Sequence, residues 1–172
     1  KRAGRRVVAM DVRGHGQSGK PYDPEAYRVE KLARDAANLI EHLGLGRVDV
    51  MGYSMGGRIA AFLTVEHPET VRSLIIGGMG MALVDGMGGE DIIVEALEAD
   101  TLDVVPEGPG RAYRKFADQT GSDAMALAAC MRVARENLAP EQLSTIDVPV
   151  LIAVGENDQV AGSPEELATF IP

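Results

Sequence analysis

The sequence predicts an α/β fold: a mostly parallel sheet flanked by helices, with a helical insertion. Three observations predict it. In the first 80 residues, short apolar runs alternate with helix-patterned stretches. Residues 81–144 then hold no convincing strand and read as several helices. The strand–helix rhythm resumes from about residue 145. Strands alternating with helices require crossover connections, which give a parallel sheet covered on both faces. The expected organisation is therefore 1–80 as the first part of the core, 81–144 as the insertion and 145–172 as the return of the core.

Each element has a local reason. Arg5-Arg6-Val7-Val8-Ala9-Met10 is a short apolar run before a glycine-rich segment, Gly14 to Gly19, and reads as a buried strand ending in a loop. Val29, Leu32, Ala33, Ala36, Leu39, Ile40 and Leu43 recur at spacings of three and four, one apolar stripe of an amphipathic helix. Gly44 sits just past its end, where glycine takes a left-handed cap most easily. Arg47 to Met51 reads as a strand, and a helix follows through Ile59, Ala60, Phe62, Leu63 and Val65 to His67-Pro68. Val71 to Ile76 is a third strand. Helices are expected over Asp91–Ala99, Arg111–Gln119 and Ser122–Asn137. Val148 to Val154 reads as a fourth strand, buried on both sides. Ser163-Pro164-Glu165-Glu166 then opens a helix, with Ser163 as cap, Pro164 at the first position and Glu166 completing a capping box.

Composition excludes several classes of function. The 172 residues carry 17 Lys+Arg against 26 Asp+Glu, a net charge of −9. That balance argues against nucleic acid or an anionic membrane as main partner, since phosphate binding needs basic patches. Eight acids and no base lie between Asp85 and Glu107, which reads as a solvated outer helix surface. No run approaches the roughly 18 apolar residues of a membrane span. The single cysteine, Cys130, gives neither a disulfide framework nor a cysteine-based zinc site. The expectation is a cytoplasmic protein without signal peptide, metal or organic cofactor. The chain begins with Lys1 rather than Met and stops at Pro172 directly after a helix, so it is expected to be an internal piece of a longer protein.

Gly52-Tyr53-Ser54-Met55-Gly56 matches G-x-S-x-G between a strand and a helix. In that context the serine is expected in a strained conformation at the tip, its hydroxyl exposed beside the helix N-terminus. The flanking glycines are expected because side chains there would strike strand and helix. Gly155-Glu156-Asn157-Asp158 follows the last strand, and a carboxylate at such a strand end can orient a histidine. Alone the segment reads better as a polar turn, and pairing it with the serine elbow reverses that reading. Gly14 to Lys20 also satisfies two phosphate-loop patterns. Pro21 stands where a magnesium-binding hydroxyl belongs, and Pro21 and Pro24 prevent a helix from opening there. The chain has three histidines. His15 reads as a loop residue, and His42 and His67 as residues near helix ends.

The chain resembles the α/β-hydrolase superfamily. Asp11-Val12-Arg13-Gly14-His15-Gly16-Gln17-Ser18-Gly19-Lys20-Pro21 is similar to the stretch after that family's fourth strand. Gly52–Gly56 stands where its nucleophile elbow stands, and Pro149 to Asp158 where its acid-bearing strand and loop stand. The resemblance implies the α/β-hydrolase fold, with residues 81–144 as a helical lid and the family's first strands and its histidine segment absent. It also implies a serine hydrolase of the esterase and lactonase-like kind, acting on a small-molecule carboxylic ester or related acyl substrate. Ser54 would attack the carbonyl, the Met55 N–H would hold the oxyanion, and Asp158 would orient a histidine lying beyond Pro172. Enol-lactonase, carbon–carbon bond hydrolase, cofactor-free haloperoxidase-like and non-catalytic ligand-binding members stay open. A serine nucleophile argues against the haloalkane dehalogenase and epoxide hydrolase branches. Met79, Met81, Met87, Met125 and Met131 cluster in or beside the insertion and are candidates to line an acyl pocket, Met79, Met81 and Met125 foremost. As given, the chain is expected to be inactive for want of the histidine.

Overall fold

The computed structural model describes residues 4–86, 88–133 and 136–172. They form two compact units. One comprises the chain up to Ala26 with Asp91–Arg132, the other Tyr27–Glu90 with Val133–Pro172.

The second unit holds a three-stranded parallel sheet in the order β1 (Val48–Tyr53), β2 (Val71–Gly77), β3 (Val150–Ala153). Its helices are α1 (Val29–His42), α2 (Met55–Glu66) and the short α3 (Ala82–Asp85), α7 (Pro140–Leu143) and α8 (Pro164–Ala168). The apolar stripe of α1 buries Val29, Leu32, Ala33 and Ala37 against α2. Gly44 takes the left-handed conformation, φ 62°, as its place past the helix requires. α2 is buried continuously from Gly57 to Thr64, because it lies between α1 and the sheet. A helix apolar on every side is a core helix, and this one is the centre of the unit. Its one interior hydroxyl, Thr64 Oγ1, donates to the Ala60 carbonyl at 2.8 Å. Ser163 Oγ caps α8 by accepting from the Glu166 N–H at 3.0 Å.

Residues Glu136–Leu138 are pinned to this unit from two helices. Arg28 Nη1 donates to Glu136 Oε1 at 2.9 Å. The carboxyls of Glu30 and Glu136 interact with each other. That interaction raises Glu136 above the ordinary glutamate value, with burial and the Glu30 charge acting the same way. It lowers Glu30.

In the first unit, α4 (Glu90–Glu98), α5 (Pro109–Thr120) and α6 (Ala124–Arg132) enclose a core of Ile93, Val94, Leu97, Ala117 and Ala128. Arg114 Nη1 donates to the carbonyls of Ala96 and Ala99 at 3.3 and 2.5 Å, a cation at the negative end of α4.

Four expectations are corrected. Arg5–Met10 is no strand; among the described residues no strand pairs with it, and Val7 is 73% exposed. An extended run without a ladder has no sheet to belong to. Among the described residues the sheet is covered on one face only. Registers Met51–Ile75–Leu151 and Tyr53–Gly77–Ala153 put these residues on the face away from α2, where Met51 is 71%, Tyr53 69% and Leu151 57% exposed. β3 is accordingly not buried on both sides. It starts at Val150 because Pro149 has no N–H to give; the Pro149 carbonyl accepts from Leu74 N at 2.9 Å. The helix expected over Ser122–Asn137 ends at Arg132, and Glu136–Leu138 serve the contacts just described.

The carboxyl pair makes stability pH-dependent in a stated direction. A raised Glu136 contributes stability below the ordinary glutamate value, and the contribution is lost as pH rises through its raised value. Glu136→Gln, neutral at every pH and able to donate to Glu30, is expected to raise the urea midpoint at pH 7. The gain should shrink as pH falls toward about 4. Urea titrations at both pH values on native and variant chains check this.

Candidate active site

Tyr53, Gly77 and Ala153 lie side by side at the C-terminal ends of β1, β2 and β3. Ser54 follows Tyr53 directly and Asp158 follows Ala153 by five residues, so both come from the same end of the sheet. Their strands are two spacings apart, about 9.6 Å. This is the end of a parallel sheet at which ligands bind in open α/β folds.

Ser54 is the only non-glycine residue with positive φ among the described residues, at φ 52° and ψ −117°. A side chain in that region costs on the order of 1–3 kcal/mol and persists only where its surroundings impose it. Here they do. The Ser54 N–H donates to the Gly77 carbonyl at 2.8 Å, which ties the turn to β2. The Ser54 carbonyl accepts from Arg58 N at 3.1 Å as the first turn of α2. The chain thus reverses from strand to helix within one residue. Met55 is the first residue of α2, at the positive end of the helix dipole.

The reversal presses two backbones together. A Cβ on Gly52 would stand 1.9 Å from the Gly56 carbonyl oxygen and 2.6 Å from Gly57 N. A Cβ on Gly57 would stand 3.3 Å from the Gly77 carbonyl oxygen. Gly56 corrects the expectation for the motif's second glycine: a Cβ there meets nothing within 4 Å. The packed glycine is the next one, which the pattern does not include. The side chain of Tyr53 covers Gly77 and Gly78, with its ring within 3.0 Å of a Cβ built on either.

Asp158 Oδ1 accepts from Val160 N at 2.9 Å and Ala161 N at 3.0 Å, while its own N–H donates to the Gly155 carbonyl at 2.9 Å. The carboxylate is thus fixed by its own turn. Among the described residues, Oδ2 accepts no hydrogen bond. The turn is zipped to the segment after β2. Gly78 N donates to Ala153 O, Gly80 N and Ala82 N to Ala161 O, and Met81 N to Ser163 O, at 2.8–3.2 Å. Gly80 lies 2.5 Å, measured from a built Cβ, from the Gly162 carbonyl oxygen, so the two segments touch backbone to backbone.

Met79 and Met81 are buried in that zipped segment, and Met125 is exposed on α6. Met131 packs partly buried against the α4–α6 core. Met87 lies outside the described residues. His15 Nδ1 is hydrogen-bonded to the Arg13 carbonyl at 2.9 Å. His42 is the exposed last residue of α1. His67 caps the far end of α2, about 18 Å along the helix from its Ser54 end. In the glycine-rich loop, Lys20 Nζ donates to the loop's own carbonyls, Gly16 O at 2.7 Å and Ser18 O at 3.1 Å. Asp11 ties the same loop through Gln17 N and Ser18 Oγ.

Residues 1–88 match the family model described as alpha/beta hydrolase fold. The chain belongs to this family. Among curated relatives it is 26% identical over 167 residues to the 3-oxoadipate enol-lactonase 2 of Acinetobacter baylyi, covering 90% of the chain and 62% of that protein. It is 38% identical over 74 residues to the 2-hydroxymuconate semialdehyde hydrolase of Pseudomonas putida, covering 43% of the chain and 26% of that protein. Among solved structures, the esterase of Exiguobacterium antarcticum superposes with a TM-score of 0.68 at 26% identity, over 92% of this chain and 65% of that one. The chain therefore spans 62% of the first of these curated relatives and 65% of the esterase.

The elbow geometry separates its glycines energetically. Gly52→Ala is expected to lower stability by about 3 kcal/mol or more, because the clash is with backbone. Gly56→Ala should stay within about 1 kcal/mol of the native chain. Ser54→Gly should raise stability by about 1 kcal/mol by removing the side chain that opposes positive φ. Urea midpoints at unchanged m-value report all three.

Proposed function

We propose that this chain carries the nucleophile and the acid of a serine hydrolase acting on carboxylic esters or lactones. The observation that carries the reading is Ser54: a strained serine at a strand-to-helix reversal, held at positive φ by a backbone bond to the neighbouring strand. Strain of this kind in a serine, where glycine would be free of it, is retained when the hydroxyl is needed at that point. In this reading Ser54 Oγ attacks the acyl carbonyl and the bond to the leaving oxygen breaks on collapse of the tetrahedral intermediate. The Met55 N–H, at the start of α2, stabilises the developing oxyanion. Asp158, anchored through Oδ1, offers Oδ2 to an imidazole N–H and so sets the tautomer of the general base.

That base is proposed to come from sequence beyond these 172 residues. His67 is at the wrong end of α2, and His15 Nδ1 is engaged with the Arg13 carbonyl. Residues 81–144 are proposed to act as the lid, with Met79 and Met81 among the residues lining the acyl pocket. No metal or organic cofactor enters the proposed mechanism.

Within the family, a cyclic ester is favoured by one observation. The relative matched along 90% of the chain is named as an enol-lactonase. The match to a carbon–carbon bond hydrolase covers 43% of the chain, and so supports the shared core rather than the substrate.

The test uses an activated short-chain ester and a small lactone with three proteins. These are the longest natural form of the protein, its Ser54→Ala variant and the 172-residue chain. Turnover by the first is expected to fall at least about 10³-fold on Ser54→Ala, with fold and stability retained. The 172-residue chain should show less than a tenth of the longer protein's rate. Turnover that survives Ser54→Ala overturns the assignment. Ser54-dependent turnover by the 172-residue chain at a comparable rate overturns the placement of the base.

A further inference from the structure

Arg58 lies four residues beyond Ser54 on α2 and is buried, 4% exposed. A buried guanidinium is costly unless its donors are met. Here the donors on Nη1 and Nη2 are met by two segments far apart in sequence. Arg58 Nη2 donates to the Ala82 carbonyl at 2.6 Å, and Nη1 lies 3.4 Å from the Leu83 carbonyl. On the other side Nη1 donates to the Glu136 carbonyl at 2.8 Å and to Asn137 Oδ1 at 3.0 Å. The first segment is α3, through which the chain leaves this unit; the second is where it re-enters after Arg132. The two segments also touch directly. Leu138 N donates to the Leu83 carbonyl at 3.2 Å, and a Cβ built on Gly86 would rest 3.4 Å from the Asn137 amide. These four named acceptors are oxygens of neutral groups, so their value to Arg58 lies in their convergence.

We infer that Arg58 is a latch: its forked guanidinium fastens the outgoing segment Ala82–Gly86 and the returning segment Glu136–Leu138 to the same helix that begins at Ser54. The planar fork is needed, because one end must face α3 while the other faces Glu136 and Asn137. An ammonium is a single point charge and can serve only one side at a time. The backbone N–H of Arg58 meanwhile holds the Ser54 carbonyl, so the residue links elbow and latch. This role is independent of the proposed serine chemistry.

The test is hydrogen–deuterium exchange on the 172-residue chain, comparing peptides at 79–86 and 136–143 with reference peptides at 59–66 and 71–77. Arg58→Met keeps apolar volume without the donors. It is expected to speed exchange at both crossing segments about 10- to 100-fold, while the reference peptides change less than about threefold. Arg58→Lys should fall between native and Met. Asn137→Asp turns a neutral acceptor into a charged one and should slow exchange at 136–143 severalfold, an effect that vanishes when combined with Arg58→Met. A rise shared equally by the reference peptides of a folded Arg58→Met chain overturns the latch, as does no change at the crossing segments. If Arg58→Met does not fold, the Asn137→Asp result decides: no slowing at 136–143 overturns the proposal.

Discussion

The close approach of the first turn of α2 to the end of β1 is the constraint on which the rest depends. Gly52 and Gly57 are bare of side chains because backbone occupies the space a Cβ would need. With the strand end and the helix start pressed together, the single residue that turns the chain must take positive φ. That residue is a serine, although glycine would do so without strain. Burial of α2 from Gly57 to Thr64 holds the arrangement closed. The packing of the core helix and the backbone conformation of Ser54 are thus set at one junction.

A second layer of order is made almost wholly from backbone. The segments following β2 and β3 continue the sheet's pairing past its formal end, through Gly78, Gly80, Met81 and Ala82 on one side and Ala153, Ala161 and Ser163 on the other. Asp158 sits in the turn that this pairing anchors. Its position relative to the strand ends therefore depends on carbonyls and amides more than on side-chain packing. Arg58 extends the same logic with a side chain that donates to carbonyls of a short helix and an irregular segment.

Much of this was legible in the sequence where local physics decides. The stripe of α1, the left-handed Gly44, the Ser163 cap and the strand–serine–helix context of Ser54 depend on neighbours a few residues away, and sequence reports neighbours. The errors fall where distant partners decide. Val7 and Val8 read as a buried strand, since an apolar run does not reveal whether a ladder exists for it. The alternating exposure of β1 and β3 was missed because Met51, Tyr53 and Leu151 are apolar residues on an open face. For the candidate site, the serine and the carboxylate could be read from strand ends and turn chemistry. Gly57 and Arg58 could not, because their importance arises from Gly77 and from Ala82 and Glu136, residues brought close only by folding.

The order of strands along the chain has a consequence for how the sheet assembles. β1, α2 and β2 are contiguous, a βαβ unit whose parallel pairing closes over one helix. β3 must find β2 across about 75 residues, which adds roughly 1 kcal/mol of closure entropy relative to the shorter loop. It is also only four residues long. The long-range contact is therefore the late one in folding and the first to fray. When β3 lifts away, the edge of β2 exposes Leu74, Ile75 and Ile76 with unpaired backbone groups, a surface that accepts a strand from another molecule as readily as its own. Strand exchange at β2, rather than loss of the elbow, is the failure mode that this topology builds in.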